Sequence, residues 1–243
     1  MPLALVTGGA VRVGRAIVLA LIEQGYRVLV HCHTSRADAD TLVAAHPDAI
    51  AGVFKGDLTD PATRSGLAAA LDAPLDLLVN SAASYERGAF EERTDEDLRR
   101  VLELNLVAPL SLTRACLPAL RAAQNAAVVN IVDLGGRNPW LGYLDHCVSK
   151  AALETATRAL AAELAPLRVN AVAPGTVAWP SDGRADPDSE AGARLLSKVP
   201  RGRIGTPRDV AESVCFLARA PHISGHTLVV DGGSLAALGG SHA

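Results

Sequence analysis

Short runs of mostly apolar residues alternate along this chain with longer segments in which apolar and polar positions recur at helical spacing. The runs Leu3–Thr7, Arg27–His33, Ile50–Lys55, Leu75–Val79, Ala127–Val132, Leu167–Ala173 and Thr227–Val230 have strand length. Apolar residues on both faces of such strands predict a sheet covered on both sides. Between them, Val13–Gln24, Ala37–Ala45, Pro61–Leu71, Thr94–Arg121, Tyr143–Leu164 and Pro207–Arg219 predict helices. Gly25 stops the first, and Pro109 is expected to bend the longest. Strand and helix in repeated alternation imply a parallel sheet, and right-handed crossovers then impose a doubly wound α/β arrangement. The expectation is one domain over residues 1–243, with a seven-stranded, mostly parallel sheet flanked by helices on both faces.

Composition narrows the partners. Aromatics make up only 3% of the chain, so the core must be built from Val, Leu, Ile and Ala. A net charge of −3 without a block of like charge argues against nucleic acid and against a membrane surface, since both select for a basic patch. No apolar run approaches the ~18 residues of a membrane span. The segment MPLALVTGGA lacks a basic stretch before a long apolar one, so no secretory signal is expected. The 4 cysteines form no CxxC pair, which suggests neither a metal site nor a disulfide framework and fits a cytoplasmic location. Val177–Glu190 is polar and rich in Asp and Pro. A loop around 176–200, carrying Trp179, is expected to lie over the ligand crevice.

The first predicted strand runs into TGGAVRVG, Thr7 to Gly14, which opens a helix. Glycines at such a turn let backbone N–H groups approach a pyrophosphate, as in Rossmann-type domains. The second strand ends in VHCHTSR, with no Asp or Glu between Val28 and Arg36. A carboxylate there would grip a ribose diol, whereas His33, Thr34, Ser35 and Arg36 can donate to a 2′-phosphate. The cofactor expected is NADP(H).

The turn resembles the TGxxxGxG element of the short-chain dehydrogenases/reductases, with Arg12 in place of the middle glycine. TGxxxRxG is similar to the pteridine reductase branch of that family, as is the HCHTS string, where Thr34 replaces an arginine. The resemblance implies cofactor contacts at Gly8, Arg12, Val13 and Gly14. It adds Asp57 and Leu58 after the third strand, and Asn80, Ser81 and Ala82 after the fourth. It also implies contacts at Pro174 and Gly175 beside the nicotinamide, and matches the family's terminal VDGG to Asp231, Gly232 and Gly233. The long helices Thr94–Arg121 and Tyr143–Leu164 correspond to those through which family members pair, and Ala151, Ala152, Ala156 and Ala159 give the second a small-residue face. A homotetramer is the expected assembly.

The family's chemistry rests on Ser, Tyr and Lys, the last two spaced as YxxxK, which puts them on one helix face. Here Lys150 is in place, His146 stands at the tyrosine position and Asp133 at the serine position. Asp133 is also a feature of pteridine reductases; His146 is not. By the same resemblance Asn105 serves the catalytic lysine, and Tyr85, Tyr143 and Arg12 hold substrate. Three readings of His146 stay open. Imidazole can serve as the general acid near neutral pH. Alternatively His146 binds substrate while Tyr143 supplies the proton, or the site is inactive and only binds cofactor.

The leading expectation is an NADPH-dependent reductase that passes hydride to a C=N bond of a pterin-like planar substrate, stacked on Tyr85. The alternatives are a carbonyl reductase with His146 as acid, and a non-catalytic NADP(H)-binding protein.

Overall fold

The computed structural model describes residues 1–178, 186 and 188–237. The strands are β1 (Leu3–Val6), β2 (Arg27–Cys32), β3 (Ile50–Lys55), β4 (Leu77–Asn80), β5 (Ala127–Ile131), β6 (Arg168–Pro174) and β7 (Thr227–Val230). They form one seven-stranded sheet in the order β3-β2-β1-β4-β5-β6-β7. Every pairing is parallel.

Strand periodicity explains why the sheet is covered twice. In β1, Ala4 and Val6 enter one apolar cluster while Leu3 and Leu5 enter another. In β4, Leu77 and Val79 join the first and Leu78 the second. Successive side chains point to opposite faces, so an unbroken apolar run must be buried on both. The first face is closed by α1 (Arg12–Glu23) and α8 (Pro207–Arg219), through Ile17, Val18 and Leu21 with Val210, Ala211 and Val214. Leu42 of α2 (Arg36–Ala45) joins the same cluster. The second face is closed by α3 (Pro61–Ala69) and α5 (Ala108–Ala122) through Leu67, Leu112, Cys116 and Leu120. The remaining helices are α4 (Asp95–Leu102), α6 (Leu144–Glu163), α7 (Glu190–Leu196) and α9 (Ser234–Ala237).

Sheet register fixes where the site lies. Val6 pairs with Val30 and Val79, Val79 with Val129, and Ile131 with Val172. The carboxyl ends of the central strands are therefore level. Strand order reverses between β1 and β4, which in this architecture is the point where a ligand is bound beside the loops that leave the sheet.

The expected single helix over Thr94–Arg121 is not one helix. A π-helical turn, Glu103–Val107, separates α4 from α5. Pro109 falls in the first turn of α5 and has no N–H to give the carbonyl one α-turn back. The widened turn holds Asn105 fully buried. Within the expected loop 176–200, Glu190–Leu196 is helical, with Ser189 as its N-cap accepting from the Gly192 amide. Trp179 lies outside the described residues, as do 180–185 and 187.

Candidate active site

The turn after β1 is fastened on three sides. Thr7 Oγ1 accepts from the Ser81 and Ala82 amides at 2.9 and 3.0 Å, tying β1 to the loop after β4. Gly8 has φ +62° and lies so close to Ala82 that a Cβ would sit 3.0 Å from its Cα. A Cβ on Gly14 would collide with the Gly8 carbonyl oxygen. Only glycine fits at either point. Arg12 is exposed and adopts φ 50° at the first position of α1, a conformation rarely taken outside glycine. The N–H groups of this first helical turn have no acceptor within the helix. Arg12, Val13 and Gly14 thus open a helix start suited to an anion.

His31, which the sequence reading passed over, is the third fastening. Its Nδ1 accepts from the Gly8 amide at 3.2 Å and its Nε2 donates to the Gly56 carbonyl at 3.0 Å. Beyond it, His33 and Thr34 are exposed and Ser35 is partly buried. Arg36 is paired with Asp40 on its own helix at 2.8 Å. Asp57 accepts from the Thr59 amide at 2.9 Å, and that bond is the main cause holding its carboxyl below the usual range. Its neighbour Leu58 is buried.

Asn80 ends β4 but turns inward. Its amide donates to Asn130 Oδ1 at 2.9 Å, and Asn130 donates to Thr157 Oγ1 at 2.9 Å. This ladder runs from β4 through β5 into α6 and commits Asn80 Nδ2 to the protein. At the far side, Gly175 approaches Asp231 so closely that a Cβ would lie 2.8 Å from the Asp231 Cβ. Asp231 in turn accepts from the Gly233 and Leu235 amides. Pro174, the last residue of β6, pairs with Val230.

Three sequence-predicted residues converge between β5 and α6. His146 and Lys150 are one turn apart on α6, and both are buried. Lys150 Nζ donates to the Ile131 carbonyl at 2.7 Å. Burial lowers its pKa to about 8, against the opposing pull of Asp133. Asp133 follows β5, and its Oδ1 accepts from the Gly135 amide at 2.7 Å. Its Oδ2 lies 3.6 Å from His146 Nε2. His146 Nδ1 is 3.0 Å from the Ser84 carbonyl oxygen. A carbonyl only accepts, so Nδ1 carries the hydrogen and Nε2 is the atom aimed at Asp133.

Asn105 sets this arrangement from behind. Its Oδ1 accepts from the Ser84 amide at 2.7 Å, and its Nδ2 donates to the Ser84 carbonyl at 3.0 Å and to Ser149 Oγ at 3.0 Å. Ser149 Oγ donates to the His146 carbonyl at 2.7 Å. Neither Ser84 nor Ser149 carried a signal in the sequence.

Aromatic rings form one wall of the site. Tyr85 stacks on Tyr143 at 4.6 Å between centroids and meets His146 edge-on at 4.8 Å. Trp140, absent from the sequence-predicted set, stands edge-on to both tyrosines. Tyr85 is half-exposed and Tyr143 is buried. The loop that carries Tyr85 is anchored by Arg93, which pairs with Glu86 at 3.3 Å and with Asp145 of α6 at 2.8 Å. Bonds from Arg100 above all, together with Ser84 and Arg93, bring the Glu86 carboxyl down to about 2.

Comparison with known proteins agrees with this architecture. The family profile described as Enoyl-(Acyl carrier protein) reductase matches residues 9–234. L-xylulose reductase of Bos taurus is 34% identical over 239 residues, covering 96% of each chain. Carbonyl reductase family member 4 of Xenopus laevis is 34% identical over 238 residues, covering 94% of this chain and 95% of its own. Among solved structures, a blue fluorescent protein from a metagenomic library, in complex with NADPH, superposes with TM-score 0.87 at 28% identity. The match covers 96% of this chain and 97% of that one. A glycine-fastened β–α turn, a level row of strand ends and near full-length matches lead to one assignment: the chain belongs to the short-chain dehydrogenase/reductase family.

Proposed function

We propose that this protein is an NADP(H)-dependent reductase of carbonyl compounds in which His146 supplies the proton. The carrying observation is the orientation of its ring. Nδ1–H is committed to Ser84, and Nε2 faces an Asp133 oxygen at 3.6 Å with no hydrogen-bond partner. Two acceptor atoms that face each other are satisfied by one proton shared between them. A substrate oxygen that gains negative charge is the group able to take that proton.

The residues of the β1 turn and α1 start fit the cofactor's pyrophosphate, since Gly8 and Gly14 pack backbone on backbone and the first amides of α1 have no acceptor within the helix. His33, Thr34 and Ser35 stand where a 2′-phosphate would be read, and Pro174 and Gly175 flank the nicotinamide side. When bound, NADPH supplies a hydride. The proton shared by His146 Nε2 and Asp133 then passes to the substrate oxygen, which leaves the ring with its one hydrogen on Nδ1 and the new hydroxyl free to donate to Asp133. Lys150, a buried cation below about pH 8, favours negative charge developing beside it. The reductase names of the L-xylulose and carbonyl reductase relatives support a carbonyl substrate.

A second reading keeps a pterin-like planar ring as substrate, with Asp133 at its nitrogen face and Arg12 and Tyr85 around it. The half-exposed Tyr85 beside Trp140 and Tyr143 favours it. The Tyr85–Tyr143 stack counts against it, because one face of the expected platform is already covered. NADPH oxidation with ketones, diketones, dihydrobiopterin and dihydrofolate separates these readings. Turnover of the carbonyl compounds alone is expected. Turnover of pterins alone reverses the order, and cofactor binding without turnover of any compound supports the non-catalytic alternative.

We also assign assembly to α4, the π-helical turn, α5 and α6, where Val107, Leu144 and Val148 are exposed. A homotetramer in solution is expected by light scattering. The 4 cysteines are all buried and free, which suits the cytoplasm.

A further inference from the structure

A single histidine joins the cofactor turn to the neighbouring strand. We propose that His31 is a positioning residue for the dinucleotide: as a neutral ring with its hydrogen on Nε2, it clamps the Gly8 turn against the end of β3 and so holds the start of α1 in place.

The two ring contacts admit one protonation state. The Gly56 carbonyl only accepts, so Nε2 carries a hydrogen. The Gly8 amide only donates, so Nδ1 must be bare. A second proton on the ring would set N–H against N–H in a place with 2% exposure. Burial disfavours that proton, and His33 opposes it too. The Gly56 bond and Asp57 pull the other way. On the turn itself, Thr7 to Val11 contain no titratable side chain.

The clamp reaches the phosphate site through contact. The His31 carbonyl also accepts from the Gly9 amide at 3.0 Å, so His31 holds two successive turn residues. Gly8 in turn fills the space where a Gly14 Cβ would be. A displaced Gly8 therefore displaces Gly14 and the first turn of α1. Because the Gly8 and Gly9 amides are spent on His31, the pyrophosphate must be met by the later amides, those of Arg12, Val13 and Gly14.

This inference rests on dinucleotide binding and not on the role of His146. It is tested by calorimetric titration of NADP+ into wild type, His31→Asn, His31→Gln and His31→Leu. The Asn carbonyl replaces Nδ1 as the acceptor for Gly8; Gln replaces only the Nε2 donor. His31→Gln and His31→Leu are expected to weaken binding roughly tenfold, the cost of one buried amide left unpaired, while His31→Asn stays within about threefold. Nitrogen-15 NMR of the wild type should show the neutral Nε2–H tautomer at His31. Equal binding by the Asn and Gln variants, or an Nδ1–H tautomer, would overturn the proposal. Failure of the wild type to bind NADP+ would instead overturn the cofactor assignment.

Discussion

The Nδ1 of His146 lies 3.0 Å from the carbonyl oxygen of Ser84, and the Asn105 amide donates to that same oxygen at 3.0 Å. Both lone pairs of one peptide carbonyl are therefore used, one to fix a ring tautomer and one to fix the peptide. A histidine can serve as an acid only through a nitrogen left open, and the Ser84 bond leaves Nε2 so. The π-helical turn that carries Asn105 arranges this.

Asn105→Ala removes the clamp and leaves Ser84 free to rotate. Stability should fall by about 1–3 kcal/mol, the usual cost of a buried polar group losing its partner. Turnover should fall roughly tenfold with little change in NADP+ affinity, since the cofactor turn is untouched. A variant that lost cofactor binding and kept its turnover rate would place Asn105 elsewhere in the scheme. Urea unfolding, calorimetry and steady-state rates measure the three quantities.

Lys150 makes a pH prediction for the cofactor-free protein. Its folded pKa of about 8 lies below the ordinary 10.5. Between these values the unfolded chain binds the extra proton, so this group adds stability as pH rises. Cys32, Cys116, Cys147 and Cys215 have thiols raised by burial and pull the opposite way. The difference between wild type and Lys150→Met isolates the lysine. Wild type should gain on the variant by up to about 3 kcal/mol as pH climbs through that window. A gap independent of pH would mean that burial does not lower the Lys150 pKa.

Gly14→Ala puts a methyl group against the Gly8 carbonyl, which has no room to move between His31 and Ala82. NADP+ affinity should drop by at least about a hundredfold, with a stability loss of a few kcal/mol from strain at the turn. Unchanged binding would show that the turn is looser than its contacts indicate.

Arg93→Ala leaves the Asp145 carboxylate, 9% exposed, without its cation and frees the loop that carries Tyr85. The expected result is a rise in KM larger than the fall in kcat, because the aromatic wall moves while His146 and Lys150 stay on α6. Stability should decrease by about 1–3 kcal/mol. A fall in kcat alone would contradict this role for the loop.

The sheet was legible because each strand's apolar residues had to serve two faces, and the helices because their periodicity matched the intervals. The HxxxK pair was legible because one helical turn separates the two side chains. Other features left no mark. Ser84 acts through its carbonyl, which every residue has. The π-helical turn depends on backbone bonding around Asn105, not on a residue type. The bond from Asn80 Nδ2 to Asn130 joins two strands, and a single sequence does not reveal it. His31 was visible only as a polar residue in an otherwise apolar stretch of strand, and its partners are backbone atoms of the loops that follow two other strands.

The central claim is that the imidazole at position 146 delivers the proton. The most direct measurement is the rate of NADPH oxidation with a ketone substrate by wild type and His146→Phe, with NADP+ affinity recorded alongside. The account predicts a loss of about a hundredfold or more in kcat with affinity preserved within about threefold. A His146→Phe protein that turns over as fast as wild type would contradict it.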